Sequence, residues 1–193
     1  MILPGRTLLT RLIIQNIKSP SLQVQPCGID LTLKRILTFN SAGTVDLDNT
    51  HRQTASTVEI PLPGHHNATS AINNSADHTR SSSTINNNNN QDSPFTTLAQ
   101  GTYLVEFNET VSVPLDVIGQ IFVRSSLFRS GVAIHAGVMD AGYTGAVGAL
   151  MQVFNAHGVR VAQDARLAQM VFHCMSESVE EGYKGVYQGS GGI

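Results

Sequence analysis

Cysteine is nearly absent. Of 193 residues only Cys27 and Cys174 are thiols, far apart and in no metal-ligand spacing. That leaves no cysteine metal site, and two reduced thiols are the default for an intracellular protein. Charge is scarce too. Only 13% of residues are Asp, Glu, Lys or Arg and the formal net charge is −2, so no basic field exists to hold a polyanion. General nucleic-acid binding is therefore not expected, whereas a small anionic ligand needs only a few arginines and backbone N–H groups. Long apolar runs are missing as well. None approaches the ~18 residues of a membrane span. The opening "MILPGRTLLTRLIIQ" interrupts its apolar stretch with arginines, which does not suit a signal peptide. The expected setting is soluble, in cytosol or nucleus, with no membrane partner. Ser-His-Asp spacing, CxxC, a Walker loop and a dinucleotide fingerprint are all lacking.

What is present is mostly strand-like. Pro4 suits a first helical turn, and Leu8, Leu9, Leu12 and Ile13 recur with helical period, predicting one amphipathic helix over about residues 5 to 16. No other helix of any length is expected. "GIDLTLKRILTF" alternates Ile29, Leu31 and Leu33 on one face, as a strand does. After residue 94 come "GTYLVEF", "VIGQIFV", "GVAIHAGVMD", "GAVGALMQVF" and "GVRVAQDARLAQMVFHC", β-branched or aromatic runs punctuated by glycines, with a Pro-containing turn in "VSVPLDVIG". Many short strands with frequent turns predict an all-β sandwich or barrel. Residues 63–94 differ in kind. This Asn-, Ser-, Thr- and His-rich stretch buries too little apolar surface to offset ~1–2 kcal/mol of backbone entropy per ordered residue, and reads as a disordered inserted loop. Its His65, His66 and His78 read as solvated rather than metal-binding. The chain is otherwise expected to form a single domain over residues 1–193.

Several polar groups interrupt the apolar strands. "VRSSLFRSG" sets Arg124, Ser125, Ser126 and Arg129 close together, and two arginines with two hydroxyls can chelate phosphate oxygens. Asp30 follows a glycine at a strand start, where a carboxylate either caps a turn or holds metal-bound water. Gln169 sits in an otherwise buried run and needs partners. In "GVMDAGYTGAVGALMQVFN", Asp140 is the one charge among glycines, three residues before Tyr143. The glycine-rich end "GYKGVYQGSGGI" is suited either to folding over a ligand or to plain disorder.

In order, "QPCGIDL", "GQIFVRSSLFRSG", "AGVMDAGYTGAVG", "ARLAQMVF" and "GYKGVYQGSGG" resemble the successive motifs of the trimeric dUTPase / dCTP deaminase family, across nearly the whole chain outside the Asn-rich stretch. The resemblance implies a distorted jelly-roll-like β-barrel of the dUTPase type. It also implies a homotrimer with intersubunit active sites and Mg2+-dependent hydrolysis of dUTP to dUMP and pyrophosphate. It makes Asp140 the base for the attacking water and Asp30 a support for magnesium through water. Arg124, Ser125, Ser126, Arg129 and Gln169 fall among the phosphate-binding motifs. Tyr143 packs under the deoxyribose, and the backbone of Gly137, Val138 and Met139 faces the pyrimidine. Lys184, Tyr187 and Gln188 belong to a tail that closes over the phosphates.

Family deaminases carry a glutamate ten residues after the motif Asp. Here that position is Leu150, and no glutamate lies between Glu109 and Glu177. Leucine cannot move a proton, and the nearest polar group, Gln152, cannot either. His135 lies near a deaminase histidine but outside the "AGVMD" register. The balance favours a dUTP diphosphatase over a dCTP deaminase. The end of the chain lacks the Phe-Gly-Ser-Thr-Gly arm of ordinary dUTPases, with Tyr187 the available aromatic. That departure leaves room for a nucleotide-binding regulator whose partner surface is the Asn-rich loop.

Overall fold

The structure is a computed structural model and describes residues 1–63 and 93–193. All but the ends of the expected 63–94 loop, with His65, His66 and His78, lies outside the described residues. The helix expected over residues 5 to 16 is shorter. α1 spans Gly5–Thr10. Leu12 takes a left-handed φ of 54°. Its N–H donates to Leu9 O (3.0 Å), and the Ile13 N–H donates to Leu8 O (3.0 Å). This is a Schellman stop, with Leu8 and Ile13, both fully buried, forming its apolar contact. The β-branched Ile14 then enters a strand. Two one-turn helices also form, α2 (Pro20–Gln23) and α3 (Ser125–Phe128).

Strands account for the rest. They are β1 (Ile14–Gln15), β2 (Val24–Gln25), β3 (Gly28–Phe39), β4 (Thr57–Ile60), β5 (Thr96–Leu98), β6 (Gly101–Ser112), β7 (Val117–Val123), β8 (Val132–His135), β9 (Thr144–Val153), β10 (Val159–Val161) and β11 (Arg166–Cys174). The main sheet runs β7-β11-β3-β6-β9-β8 with antiparallel neighbours, while β5 and β10 pair separately. Its two edges approach each other. Gly119 of β7 exchanges both backbone hydrogen bonds with Met139, just beyond β8, at 3.0 and 2.9 Å. The sheet is thus nearly closed, and the all-β, distorted jelly-roll-like barrel is what forms.

Phe107, Phe172, Ile29, Leu31, Leu33 and Met151 fill the interior, each 1% exposed or less. Burying each such side chain contributes ~1.5–3 kcal/mol. The face of β3 opposite Ile29 and Leu31 is not solvated, however, because Asp30 and Thr32 are buried as well. Bulges interrupt β3 between Leu33 and Arg35, β6 between Glu106 and Thr110, and β11 between Arg166 and Ala168. These three strands are neighbours, so the irregularities meet around Thr32. Such insertions raise twist and re-aim side chains beside sites.

Candidate active site

One group of polar residues forms where β3, β11 and the end of β7 meet. Gly28 starts β3 against β11, since a Cβ there would collide with the Met170 carbonyl. Two residues on, Asp30 is 2% exposed. Its Oδ2 takes Arg124 Nε at 3.0 Å, Arg166 Nη1 at 3.1 Å and Gln25 Nε2 at 3.4 Å. Burial pushes the Asp30 pKa above its ordinary value, against the opposing charges of Arg124 and Arg166. Arg124 is further fixed by Nη1 donating to Arg166 O (3.0 Å), and Arg166 Nη1 also donates to Leu22 O. Gln169 is the register partner of both Asp30 and Phe122, so its amide shares their face. Ser125 and Ser126 follow on α3, with Arg129 just after it, and all three are exposed.

A second group forms on the hairpin between β8 and β9. Gly137, Val138 and Asp140 are exposed, and Met139 is held by Gly119. Among the described residues the Asp140 carboxylate makes no ion pair. Tyr143 packs edge-on against Tyr183 at 5.5 Å, and its hydroxyl donates to Ala146 O (2.7 Å). Burial raises the Tyr143 pKa, with Tyr183 adding to the effect. The segment after β11 folds back onto this hairpin within the same chain. Gln188 accepts from Thr144 N (3.0 Å) and donates to Gly142 O (2.9 Å), while Ala146 N donates to Ser190 O (2.8 Å). Lys184 is exposed and pairs with Glu181 (2.6 Å), and Arg52 lies 5.9 Å over the Tyr187 ring.

The two groups do not meet in one chain. Met139 is anchored at Gly119, whereas Arg124 follows the far end of β7. At a strand rise of ~3.3 Å per residue the two anchor points are about 16 Å apart. Asp140 is therefore separated from the Arg124–Ser126 cluster, although each cluster is internally assembled.

The position that would carry a deaminating glutamate holds an apolar side chain, Leu150. Leu150 is paired with Leu104 on β6 and His135 on β8. Glu106 lies on the same face, opposite Gly148. It is fully buried and tied to Lys34 Nζ (2.6 Å) and Arg35 Nη2 (2.6 Å). Burial alone would raise its pKa, but hydrogen bonds from Lys34 and Arg35, the Arg35 charge and the Ile193 N–H outweigh it and hold the pKa below its ordinary value. Such a carboxylate stays charged and committed near neutral pH.

Sequence reasoning missed Arg166, Glu106 and Glu109. The available signal was charge inside the apolar runs "YLVEFNETV" and "ARLAQM". Their pairing depends on Thr32, Lys34, Arg35 and Asp30, more than 70 residues away in sequence.

The chain is similar to known proteins over most of its length. The family model described as dCTP deaminase-like matches residues 2–175. A probable deoxyuridine 5'-triphosphate nucleotidohydrolase of Methanosarcina acetivorans is 32% identical over 91% of this chain and 86% of its own. The deoxyuridine 5'-triphosphate nucleotidohydrolase of Methanocaldococcus jannaschii is 31% identical over 86% of this chain and 88% of its own. Among solved structures, the 2'-deoxycytidine 5'-triphosphate deaminase of Agrobacterium tumefaciens has a similar fold, with TM-score 0.59 and 18% identity. That match covers 90% of this chain, which spans about half of the deaminase chain (48%). With its barrel, its ordered motifs and a family model spanning residues 2–175, this chain belongs to the dCTP deaminase-like family.

Proposed function

We propose that this protein is a dUTP diphosphatase that hydrolyses dUTP to dUMP and pyrophosphate. The observation that carries the reading is Leu150. It sits between Leu104 and His135, where deamination would need a proton-shuttling carboxylate, while Asp140 stands exposed on its hairpin with no ion pair among the described residues. The nearby Glu106 cannot take over, because it is fully buried and both its oxygens are already bound, one to Lys34 and one to Arg35. The similarity to curated dUTP nucleotidohydrolases at 31–33% identity supports the same assignment.

Cleavage of a phosphoanhydride requires a water in line with the α-phosphorus, an acceptor for its proton, and donors for the phosphate oxygens. Asp140 is the acceptor in this reading. A carboxylate is a side chain of the kind that can take that proton. Arg124, Ser125, Ser126, Arg129 and Gln169 receive the phosphates, and the Asp30 carboxylate holds Arg124 in place. Tyr143 bounds the deoxyribose, and the backbone of Gly137, Val138 and Met139 meets the pyrimidine edge. Gln188 braces the hairpin, with Lys184 and Tyr187 on the covering segment.

Magnesium belongs to the proposal. Among the described residues no group of three or more His, Cys, Asp or Glu side chains could hold a metal. Mg2+ characteristically keeps several waters and binds through substrate phosphates with one or two carboxylates. Asp30 fits such a role through water: all its donors fall on Oδ2, leaving Oδ1 without a partner among the described residues. When bound, Mg2+ would neutralise triphosphate oxygens.

The separation of the two half-sites supports a homotrimer in which one subunit's Asp140 hairpin faces another's arginine cluster. Phe122 is 49% exposed on the face of Gln169, an apolar surface suited to that contact. A cytosolic or nuclear setting accords with two free thiols. Among the described residues no helix is long and apolar enough to cross a membrane.

The test is incubation with dUTP or dCTP plus Mg2+, assaying pyrophosphate and ammonia. Pyrophosphate from dUTP without ammonia is the expected result; ammonia from dCTP would overturn it, and binding without either product would point to a regulator. Asp140→Asn is expected to bind dUTP and lose roughly 100-fold or more in turnover.

A further inference from the structure

Glu109 has no part in the reaction just described, yet its burial is costly. It is fully buried on β6 and has no cationic partner among the described residues. Three donors converge on its carboxylate: Gln23 Nε2 (2.6 Å) and Thr32 Oγ1 (2.6 Å) on Oε1, and Thr32 N (2.8 Å) on Oε2. Burial raises its pKa, and the hydrogen bonds from Thr32 and Gln23 oppose the rise. A buried carboxylate without a counter-charge is expensive. An amide at this position would turn an NH2 group toward donors. The site requires a group that only accepts.

The Gln23 side chain, 1% exposed, links this hub to the arginine cluster. Its Oε1 accepts from Ser19 N (2.8 Å), which directs its NH2 toward Glu109 and, in the same arrangement, toward Asp30 O (2.9 Å). The preceding residue, Leu22, offers its carbonyl to Arg166 Nη1, which also holds the Asp30 carboxylate. Glu109 thus anchors α2, and α2 contacts both Asp30 and Arg166.

We infer that Glu109, acting through Gln23, is a positioning residue that sets the Asp30–Arg124–Arg166 cluster in register to receive the phosphate chain of the substrate. This rests on the dUTP hydrolase reading. The role concerns phosphate binding and not the Asp140 chemistry, so its loss separates KM from kcat.

The experiment uses Gln23→Ala and Glu109→Gln in the full chain. It measures kcat and KM for dUTP, the Kd of inorganic pyrophosphate by calorimetry, and thermal unfolding. Gln23→Ala removes the link to Asp30 while leaving both Thr32 contacts to Glu109 intact, so it decides alone if Glu109→Gln does not fold. The expected result is KM and pyrophosphate Kd raised in parallel, on the order of tenfold, with kcat near wild type. A folded Gln23→Ala with wild-type KM and pyrophosphate Kd overturns the inference, even if its melting temperature falls. If the wild type binds pyrophosphate but turns over no dUTP, the hydrolase reading fails, and the Kd of the variants still decides this one.

Discussion

Replacing Arg166 by Met tests how the buried Asp30 is held. Asp30 is 2% exposed and its Oδ2 is shared between Arg124 Nε (3.0 Å) and Arg166 Nη1 (3.1 Å). Removing one member of a buried pair costs ~3–5 kcal/mol. Here Arg124 remains, and the Arg166 side chain is 32% exposed, so solvent already screens part of the interaction. The lost hydrogen bond to Leu22 O acts in the opposite sense. The expected net loss is about 2 kcal/mol. For a chain of this size that corresponds to a melting temperature lower by about 4–8 °C. The pH dependence provides a second check. Asp30 already has a raised pKa, and loss of a neighbouring positive charge raises it further. A carboxylate with raised folded pKa contributes its full stability below its ordinary value of 3.8 and loses it as pH rises through the folded value. The gap between wild type and variant is therefore widest near neutrality and narrows on acidification. Thermal unfolding followed by circular dichroism, from pH 7 downward in steps, measures both. A melting temperature within about 1 °C of wild type at pH 7, or a gap that widens in acid, would refute the reasoning.

Two further outcomes are expected. Glu106, whose pKa is held below its ordinary 4.5, stabilises the fold above that value, and its contribution disappears as pH falls through the lowered folded pKa. Urea midpoints against pH should accordingly drop less steeply in acid for Glu106→Gln than for wild type; parallel curves would contradict this. Gly142 has φ +81°, and a Cβ there would lie 2.5 Å from the Gly182 Cα, so Gly142→Ala should cost ~1–3 kcal/mol. It should also loosen the segment after Gly182 from the hairpin, seen as faster limited proteolysis near Tyr183 and Lys184; unchanged cleavage would argue against that docking.

Local patterning made much of the barrel legible. The run "GIDLTLKRILTF" becomes β3 over its full length, and the later β-branched runs supply β6, β7, β8, β9 and β11. Periodicity alone extends the first helix to residue 16, whereas Leu12, apolar and in phase, adopts a left-handed conformation that ends it at Thr10. Residue order carried the candidate site as well, through Asp30, Arg124 and Asp140 with its neighbours. Charge inside a strand, by contrast, reads as a solvated face. Whether Glu106 and Glu109 face water or the interior depends on Lys34, Arg35, Thr32 and Gln23, which the chain brings in from strands and a helical turn far away.

What the sequence by itself determined was the alternation of strands, the glycines at tight turns and which polar side chains interrupt the strands as site candidates, because these depend on neighbours a few residues apart. Only the tertiary structure decided which carboxylates are paired, which are buried without a cation, and that Asp140 and Arg124 are kept apart by β7. Those outcomes follow from sheet order and bulge register, which bring distant segments into contact, and no local pattern encodes the distance between two ends of a strand.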